Sequence, residues 1–507
     1  MNCYSEYVKK ILTSSVYDVA QQTPLVYAKN LSERLENCIY MKREDLQPVF
    51  SFKLRGAYNR ISQLSKEEAS HGVITASAGN HAQGVALGAQ KLGYSAIIVM
   101  PITTPQIKID AVKHFGANVV LHGNSFSDAY QHALQLIEKN NMIYIPPFDD
   151  EYVIAGQGTI AMEIISQYPK KIDAIFIPIG GGGLAAGIAT FTKNVRPDIK
   201  VIGVQTEDSC AMKQSIDQNK IVSLKSVGLF ADGTAVKEVG KITYQICRDL
   251  LDDIILVDTD AICAAIKDIF NETRSIIEPS GALGLAGLKS YIIDNNIKNQ
   301  TLITINSGAN INFHRLRHVS ERTELTEKKE IILAVTIPEK AGSFLKFIQV
   351  IGNRNITEFN YRYGNRNNAH IFVGIETNSQ EDIQEITQSL TRSGFATLDL
   401  SDNEIAKIHI RHMVGGKTNE VKNEQLFSFE FPEYPNALGH FLSAFQSKWN
   451  ITLFHYRNHG SDYGRVIMGI DVPPQDKEEF RQFINKLDYE FLDHTHDPAY
   501  ELFLSPF

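Results

Sequence analysis

Between about residue 40 and residue 315, short apolar runs rich in valine and isoleucine alternate with segments that carry apolar residues at helical spacing. The clearest runs are residues 72–77, 95–101, 173–180, 200–206 and 301–306. Runs of this kind that stop at turn-forming residues are typical of buried parallel strands. The alternation predicts an α/β fold with parallel sheets, whose ligands bind at the carboxyl ends of the strands.

The pattern changes near residue 320, and an internal repeat follows. A charged and poorly periodic stretch predicts a linker at residues 321–328. The motif N-I-T-x-F-x-Y-R at residues 355–362 then recurs at residues 450–457, and each copy reads strand, helix, strand, strand, helix, strand, as in a ferredoxin-like α+β unit. A structural or dimerising appendage is one interpretation, but tandem copies favour ligand sensing. We therefore expect a domain of residues 1–320, the linker, and two repeats, 329–417 and 418–507.

The composition argues against several classes of protein. The 507 residues carry a formal net charge of −8 and no long basic run, so we expect no nucleic-acid partner. No window approaches the roughly 18 consecutive apolar residues of a membrane span, and the amino terminus lacks the apolar core of a secretory signal. The five cysteines are scattered and form no C-x-x-C pair. We therefore expect no disulfide framework and a cytoplasmic location.

Lys53 is the first residue that could carry chemistry. It lies between Phe52 and Leu54, where a partly desolvated amine would have a lowered pKa and become a nucleophile for carbonyl groups. A solvated lysine on an amphipathic segment is the commoner situation and stays open as the alternative. No Walker A pattern surrounds Lys53, so it is not the phosphate-binding lysine of an NTPase.

Two turns that follow predicted strands could bind anions. Ser77, Ala78 and Gly79 are small enough to let a ligand approach the backbone, and Asn80 and His81 open the next helix, whose amides favour a carboxylate. The alternative is an ordinary turn in which Asn80 caps the helix.

The second of these turns is a run of four glycines. Gly180, Gly181, Gly182 and Gly183 precede Leu184 at the start of a predicted helix. Four glycines lose much chain entropy on folding, so they indicate close backbone approach and a phosphate site.

Ser307 and Glu278 complete the candidates. Ser307 follows the last strand of the α/β part in the motif S-G-A-N, and its hydroxyl could bond a neutral ring nitrogen. A plain turn is the alternative. Glu278 is either a helix-cap residue or a site carboxylate. An aldehyde-capturing lysine, a carboxylate-binding turn, a phosphate site and a ring-nitrogen partner are the groups that pyridoxal phosphate requires.

These motifs resemble those of the fold type II, or β-family, pyridoxal-phosphate enzymes. Over essentially its whole length, including the double repeat, the chain is similar to the biosynthetic threonine deaminases. The resemblance implies a tryptophan synthase β-like catalytic domain with parallel sheets, followed by two α+β, ferredoxin-like (ACT-like) regulatory repeats. It also implies pyridoxal 5'-phosphate as cofactor and a homotetramer.

The resemblance assigns a role to each candidate. Lys53 would attach the cofactor and remove the Cα proton, and Asn80 would bond the phenolic oxygen. The amides of Gly180–Leu184 would hold the phosphate, and Ser307 would face the ring nitrogen. Residues 77–81 would receive the substrate carboxylate. The expected reaction converts L-threonine, and also L-serine, to a 2-oxo acid and ammonia.

The resemblance also implies inhibition by isoleucine, opposed by valine. The turns after Pro338-Glu339 and Pro432-Glu433 could offer free N–H groups to the carboxylate of such an effector. Four aromatic residues could form apolar walls, although strand alternation makes core packing the expected role of at least half of them. They are Phe359, Tyr361, Phe454 and Tyr456.

Three rival functions stay open: a serine-preferring dehydratase, a serine racemase and an inactive amino-acid sensor. Ala78 stands where serine racemases carry a second serine, which disfavours racemisation. The intact Lys53 and glycine loop argue against an inactive sensor. Metal-binding relatives carry an acidic residue six positions after the glutamate that Glu207 resembles. Lys213 stands there instead, so we expect no divalent metal at that site.

Overall fold

The computed structural model describes most of the chain. The described residues are 4–228, 230–313, 315–326, 330–340, 342–363, 368–377, 379–403, 406, 410, 413, 415–418, 421–432, 437–444, 448–457, 463–487 and 489–504. They divide into two compact units, Met1–Ser320 and Glu321–Phe507. Among the helices of the described ranges, none is both long enough and apolar enough to span a bilayer.

The first unit alternates strands and helices as the sequence predicts. Its strands are β1 (Leu25–Tyr27), β2 (Cys38–Arg43), β3 (Val73–Ala76), β4 (Ala96–Met100), β5 (Asn118–Leu121), β6 (Ile143–Tyr144), β7 (Ala174–Pro178), β8 (Lys200–Thr206), β9 (Asp253–Val257) and β10 (Thr301–Asn306). Its helices are α1 (Ser5–Leu12), α2 (Lys29–Arg34), α3 (Lys53–Ser62), α4 (Lys66–Ser70), α5 (Asn80–Leu92), α6 (Gln106–His114), α7 (Phe126–Asn140), α8 (Glu151–Gln167), α9 (Gly183–Val195), α10 (Ala211–Asp217), α11 (Lys241–Leu250), α12 (Thr259–Thr273), α13 (Pro279–Asn295) and α14 (Arg315–Thr326).

Two sheets organise this unit. The larger has the order β1-β2-β10-β7-β8-β9, and the smaller has the order β5-β4-β3-β6. Every pair of neighbouring strands is parallel except β1 and β2. All five residues of β7 are buried, as expected for a central strand with helices on both faces. These sheets confirm the predicted α/β class with parallel strands.

Close helix crossings set the position of α3. A Cβ atom on Gly84 of α5 would lie 3.1 Å from Leu54 Cα, and a Cβ atom on Gly156 of α8 would lie 2.7 Å from Arg55 O. Both contacts are with the backbone of α3, so only glycine lets the three helices approach this closely. The first turn of α3, which begins at Lys53, is therefore packed tightly between α5 and α8.

Residues 321–326 of the predicted linker belong to a helix, and the assignment of residues 321–328 as a linker stays a prediction. Helix α14 runs from Arg315 to Thr326, and residues 327–328 lie outside the described ranges. Val319 and Thr323 lie four positions apart and are both buried, which gives the helix an inner face despite its many charges. The charged residues concealed this narrow periodicity in the sequence.

The second unit confirms the predicted order of elements in both repeats. Its strands are β11 (Glu330–Pro338), β12 (Ile356–Arg362), β13 (Asn368–Glu376), β14 (Ala396–Asp399), β15 (Glu424–Pro432), β16 (Asn450–Arg457), β17 (Tyr463–Asp471) and β18 (Glu490–Asp493). Its described helices are α15 (Ser343–Ile351), α16 (Gln380–Arg392), α17 (Ala437–Ala444), α18 (Lys477–Ile484) and α19 (Pro498–Phe503).

The repeated motif itself joins the two repeats. The described strands form one sheet of order β14-β11-β13-β12-β16-β17-β15-β18, in which all pairs are antiparallel. At the centre, Asn360 of β12 pairs with His455 of β16, its own counterpart in the second repeat. A pseudo-twofold axis therefore passes through this pair, and the two repeats share one continuous sheet.

Candidate functional site

Lys53 lies in a largely apolar setting at the start of α3. Its Nζ donates to Pro147 O over 2.8 Å and lies 5.4 Å from the centre of the Phe52 ring. Burial lowers the pKa of Lys53 to about 8, although the negative charge of Glu278 acts in the opposite direction. This environment favours the nucleophilic amine over the solvated lysine that the sequence left open.

The four glycines form a turn that ends in the first residue of α9. Gly182 has a φ of 97°, a conformation that glycine adopts readily, and Thr243 Oγ1 donates to Gly181 O over 2.6 Å. Within the described ranges, the amides of residues 180–184 donate to no protein acceptor. Amide donors gathered at a helix start fit a phosphate group.

Phe148 connects this glycine turn with Lys53. A Cβ atom on Gly181 would lie 2.2 Å from Phe148 Cδ1, and a Cβ atom on Gly183 would lie 3.0 Å from Phe148 Cα. Pro147 accepts the hydrogen bond from Lys53, and the next residue, Phe148, lies against the glycine turn. The loop after β6 thus brings the amine and the glycine turn together.

Asn80 does not cap its helix as the alternative interpretation requires. It is the first residue of α5, and Gly79 occupies the cap position. Asn80 Nδ2 donates to Glu278 Oε1 over 2.6 Å, and Asn80 Oδ1 accepts from Asn310 Nδ2 over 2.6 Å. The structure therefore brings the turn after β3, the start of α13 and the S-G-A-N motif into one cluster.

The other predicted residues of the turn after β3 differ in exposure. Ser77 Oγ accepts from Gly79 N over 3.3 Å, Ala78 is half-buried, and no atom lies within 4 Å of a Cβ built on Gly79. His81 is buried and contacts Ile145 O through Nε2 at 2.9 Å. Burial and the charge of Lys53 lower the pKa of His81 to about 3, so its ring is neutral and Nε2 carries the proton.

Ser307 lies at the end of β10 with its side chain buried. Its Oγ is 3.4 Å from Ser280 O, a long contact that leaves the hydroxyl able to bond another group. The Ser307 carbonyl accepts from Phe52 N over 3.2 Å, so the backbone beside Ser307 is tied to the residue that precedes Lys53.

Some residues of this cluster were not recognised from the sequence, or their role was left open. The sequence left Glu278 as either a cap residue or a site carboxylate. In the structure Glu278 holds the cap position of α13 without a side-chain cap bond, and its carboxylate contacts Asn80. Burial and the charge of Asp232 raise the pKa of Glu278 to about 7. Asn310 was visible only as the last letter of a motif, and Pro147 and Phe148 gave no signal.

Metal ligands are not grouped in the described part of the chain. No cluster of three His, Cys, Asp or Glu side chains that could hold a metal ion is found there. At the position considered from the sequence, Lys213 Nζ forms an ion pair with Asp217 over 2.8 Å. The absence of a divalent metal at that position stays a prediction.

A cavity in the second unit lies between elements of the two repeats. Its polar residues include Glu339 and Ser343, before and at the start of α15, and Asn450, at the start of β16. Its apolar lining includes Ile337, Pro338, Phe344, Leu345, Leu442, Trp449 and Ile451.

Glu339 is the ionisable centre of this cavity. Its carboxylate accepts from Tyr361 OH over 2.6 Å and from Asn450 Nδ2 over 3.4 Å. Burial raises the pKa of Glu339, and these two hydrogen bonds oppose the rise. The cavity combines an acidic group with apolar walls, as a site for an aliphatic amino acid requires.

Two details of the predicted effector site differ from the structure. The amides of Lys340 and Ser343 donate to Pro338 O and Lys340 O, so they are not free for a carboxylate. The four aromatic residues considered as walls are all buried in the core of the unit and do not line the cavity. Glu433, in the corresponding turn of the second repeat, lies outside the described residues.

Known proteins provide an independent comparison. The family model of pyridoxal-phosphate dependent enzymes matches residues 16–308. The model of the C-terminal regulatory domain of threonine dehydratase matches twice, at residues 321–410 and 415–504. The L-threonine dehydratase biosynthetic IlvA of Burkholderia multivorans is 55% identical over 503 residues, which cover 99% of both chains. The chain belongs to the threonine dehydratase family of pyridoxal-phosphate dependent enzymes. The resemblance, the fold class and the cofactor predicted from the sequence are thereby confirmed.

Two solved structures resemble part of this chain. The processed form of threonine deaminase isoform 2 from Solanum lycopersicum is 54% identical, with a TM-score of 0.62, and the match covers 63% of this chain and 93% of that chain. Maize serine racemase is 32% identical, with a TM-score of 0.59, and the match covers 62% of this chain and 96% of that chain. The racemase shares this fold, so the fold alone does not separate racemase from dehydratase.

Proposed function

We propose that this chain is a threonine ammonia-lyase that converts L-threonine, and also L-serine, to the corresponding 2-oxo acid and ammonia. A 55% identity with a biosynthetic threonine dehydratase, over an alignment that covers 99% of both chains, is the observation that carries the proposal. The cluster of Lys53, Asn80, Ser307 and the glycine turn supports it, because each supplies the chemistry expected at one part of pyridoxal phosphate.

The cofactor, when bound, supplies an electron sink that makes the Cα proton of the substrate acidic and allows the β-hydroxyl to leave. In our proposal, Lys53 attaches the cofactor through its amine and takes the Cα proton once the substrate has released that amine. A lysine with a pKa near 8 is neutral often enough near neutral pH to perform both tasks.

The remaining residues bind and orient. The amides of residues 180–184 hold the phosphate, and Asn80 donates to the phenolic oxygen. The Ser307 hydroxyl would bond the ring nitrogen, and this neutral partner would favour a ring nitrogen without a proton. Residues 77–81 receive the substrate carboxylate, with Ser77 and the first amides of α5 as donors. His81 contributes by holding the turn to Ile145 rather than by moving a proton.

Ala78 favours elimination over racemisation. Racemisation requires a proton donor on the face of the substrate opposite Lys53, and a methyl side chain cannot supply one. We therefore expect deamination to dominate with L-serine as well. This distinguishes the proposal from a racemase, despite the similar fold of maize serine racemase.

Covalent labelling tests the cofactor site directly. The purified protein with pyridoxal phosphate should be yellow, and borohydride should remove the colour and fix the cofactor to a peptide that contains Lys53. A colourless protein, or a label on another lysine, would reject the assignment. Lys91→Ala, on the exposed side of α5, is the matched control and should label as the wild type does.

We also propose that residues 329–417 and 418–507 are regulatory repeats and that residues 1–320 carry catalysis. Isoleucine would inhibit and valine would oppose it. In the cavity of the second unit, Glu339 would bind the α-ammonium group of the effector, and Phe344 and Trp449 would contact its side chain. Inhibition further requires that the effector bind one state of the protein more tightly than another.

Replacing Glu339 tests this effector site. Glu339→Gln keeps the shape of the side chain but removes its charge, so isoleucine should inhibit at concentrations about tenfold higher or more. Activity without isoleucine should change little. Glu381→Gln, on the exposed face of α16, should leave inhibition unchanged. Unaltered isoleucine sensitivity of Glu339→Gln, measured as the concentration for half inhibition, would place the effector elsewhere.

The proposal extends to location and assembly. We expect a cytoplasmic homotetramer without nucleic-acid or membrane partners. Cys38, Cys210 and Cys247 are free thiols, which suits a reducing compartment. Sedimentation of the holoenzyme measures the assembly, and a monomer at enzyme-assay concentration would contradict it.

A further inference from the structure

We infer that Asn310 and Glu278 are positioning residues that hold the side-chain amide of Asn80 in one orientation. The inference rests on the proposed function, since it concerns the side of Asn80 that would face the cofactor. An amide presents an oxygen acceptor on one side and N–H donors on the other, and the two orientations have nearly the same shape. A hydrogen bond to the phenolic oxygen requires the donor side.

The orientation of the Asn80 amide is determined first by a hydrogen bond between Asn310 and a backbone carbonyl. Val49 O can only accept, and Asn310 lies 2.9 Å from it through Nδ2, so the nitrogen of Asn310 must be on this side. The same nitrogen lies 2.6 Å from Asn80 Oδ1, and its second hydrogen needs an acceptor. The oxygen of Asn80 therefore faces Asn310.

Glu278 receives the opposite side of the same amide. Asn80 Nδ2 donates one hydrogen to Glu278 Oε1 over 2.6 Å, and the Glu278 side chain is buried. If the Asn80 amide turned over, its oxygen would face the carboxylate and its nitrogen would face a donor. Both ends of the amide thus oppose the wrong orientation, and the second Nδ2 hydrogen is left for the phenolic oxygen.

The two positioning residues are themselves held by backbone contacts. Glu278 N donates to Gly308 O over 3.2 Å, and Ala309 N donates to Phe50 O over 2.9 Å. A Cβ atom on Gly308 would lie 2.6 Å from Glu278 Oε1, so a larger residue there would displace the carboxylate. The hydrogen bonds among Asn80, Glu278 and Asn310 therefore connect α5, which packs on the smaller sheet, to loops of the larger sheet.

A double-mutant cycle on the full-length protein tests this role. Pyridoxal phosphate is titrated into cofactor-free wild type, Asn80→Ala, Asn310→Ala and the double variant, and both affinity and the absorbance maximum of the bound cofactor are recorded. Asn80→Ala should weaken binding about tenfold or more. Asn310→Ala should weaken it about fivefold in the wild type but less than about twofold in Asn80→Ala, because it acts through Asn80.

Additive effects of the two substitutions on affinity would overturn the positioning role of Asn310. An Asn80→Ala variant with unchanged affinity and an unchanged spectrum would instead overturn the placement of the cofactor at Asn80, which is a failure of the proposed function. The two failures are therefore distinguishable in one set of titrations.

A second pair of variants covers the case in which Asn310→Ala does not fold. Glu278→Gln keeps an oxygen acceptor for Asn80, so its cofactor affinity and absorbance maximum should stay close to those of the wild type. Glu278→Met has a similar volume but no comparable acceptor, so its affinity should fall about fivefold and its absorbance maximum should shift. Equal behaviour of the two variants would overturn the positioning role of Glu278.

Discussion

The amine of Lys53 is distinguished by its setting rather than by its residue type. Its single protein acceptor among the described residues is the carbonyl of Pro147, so no carboxylate bond compensates for its loss of water. Lys53→Ala should therefore remove an essential group without breaking a hydrogen-bonded ion pair. We expect a folded protein that retains cofactor weakly through residues 180–184 and loses deamination by about a thousandfold or more. Near-wild-type formation of 2-oxo acid by this variant would contradict the assignment.

The lowered pKa of Lys53 also predicts a pH dependence. In our proposal the neutral form of the amine would attach the cofactor, and the neutral fraction increases with pH through the pKa. In cofactor-free protein, the rate of covalent attachment should therefore rise up to about pH 8, the pKa of Lys53, and then level off. Stopped-flow absorbance measures this rate. A rate that continued to rise beyond pH 10 would indicate a solvated lysine.

Gly182 and Gly93 allow backbone strain to be separated from cofactor binding. Both have positive φ, 97° and 73°, so alanine at either position should cost about 1–2 kcal/mol in backbone strain. At Gly182 the new Cβ atom would in addition lie 2.7 Å from Met212 Cε. Only Gly182 belongs to the glycine turn that we propose as the phosphate site. Gly182→Ala should thus release cofactor on dialysis, whereas Gly93→Ala should carry the same backbone strain and keep the cofactor. Equal cofactor retention by the two variants would show that the glycine turn serves the fold and does not bind the phosphate.

At the scale of elements, a buried ionic network fixes α3 behind Lys53. Arg55 donates to Glu44 over 2.8 Å and to Glu163 over 2.6 Å, and Lys42 donates to Glu163 over 2.5 Å. All four side chains are almost completely buried. The network joins β2, α3 and α8 and the turn that contains Glu44.

Removing one charge from this network should be costly. Arg55→Met would leave two buried carboxylates with one cation, and we expect it to reduce the free energy of unfolding by about 3–5 kcal/mol. Arg248→Met removes an arginine whose ion pair with Asp249 is well exposed and should change stability little. Urea denaturation measures both effects. A small effect of Arg55→Met would show that the network does not hold α3.

The elements also show what the sequence could and could not predict. The strands β3, β4, β7, β8 and β10 were predictable because buried parallel strands are continuous apolar runs. Helix α14 was not, because a narrow buried face among charged residues resembles a linker. Lys53 and the glycine turn stood out as motifs at strand ends. Pro147 and Phe148 did not, because their contribution depends on where the loop after β6 passes in space.

At the scale of the whole molecule, the internal repeat has a consequence that the sequence did not reveal. The repeated motif forms β12 and β16, and these strands pair with each other. The cavity with Glu339 is consequently lined by residues from both repeats. A ligand there can alter the relation between the repeats, which is the kind of differential contact that regulation requires.

The central claim is that this chain deaminates L-threonine with a cofactor bound at Lys53. The most direct test is to measure 2-oxobutanoate and ammonia formed by the purified holoenzyme from L-threonine. Parallel reactions contain L-serine, with D-serine measured as a further product. We predict equal amounts of 2-oxobutanoate and ammonia from threonine, and pyruvate with little D-serine from serine. D-serine as the main product, or no turnover by protein that carries the cofactor on Lys53, would contradict the claim.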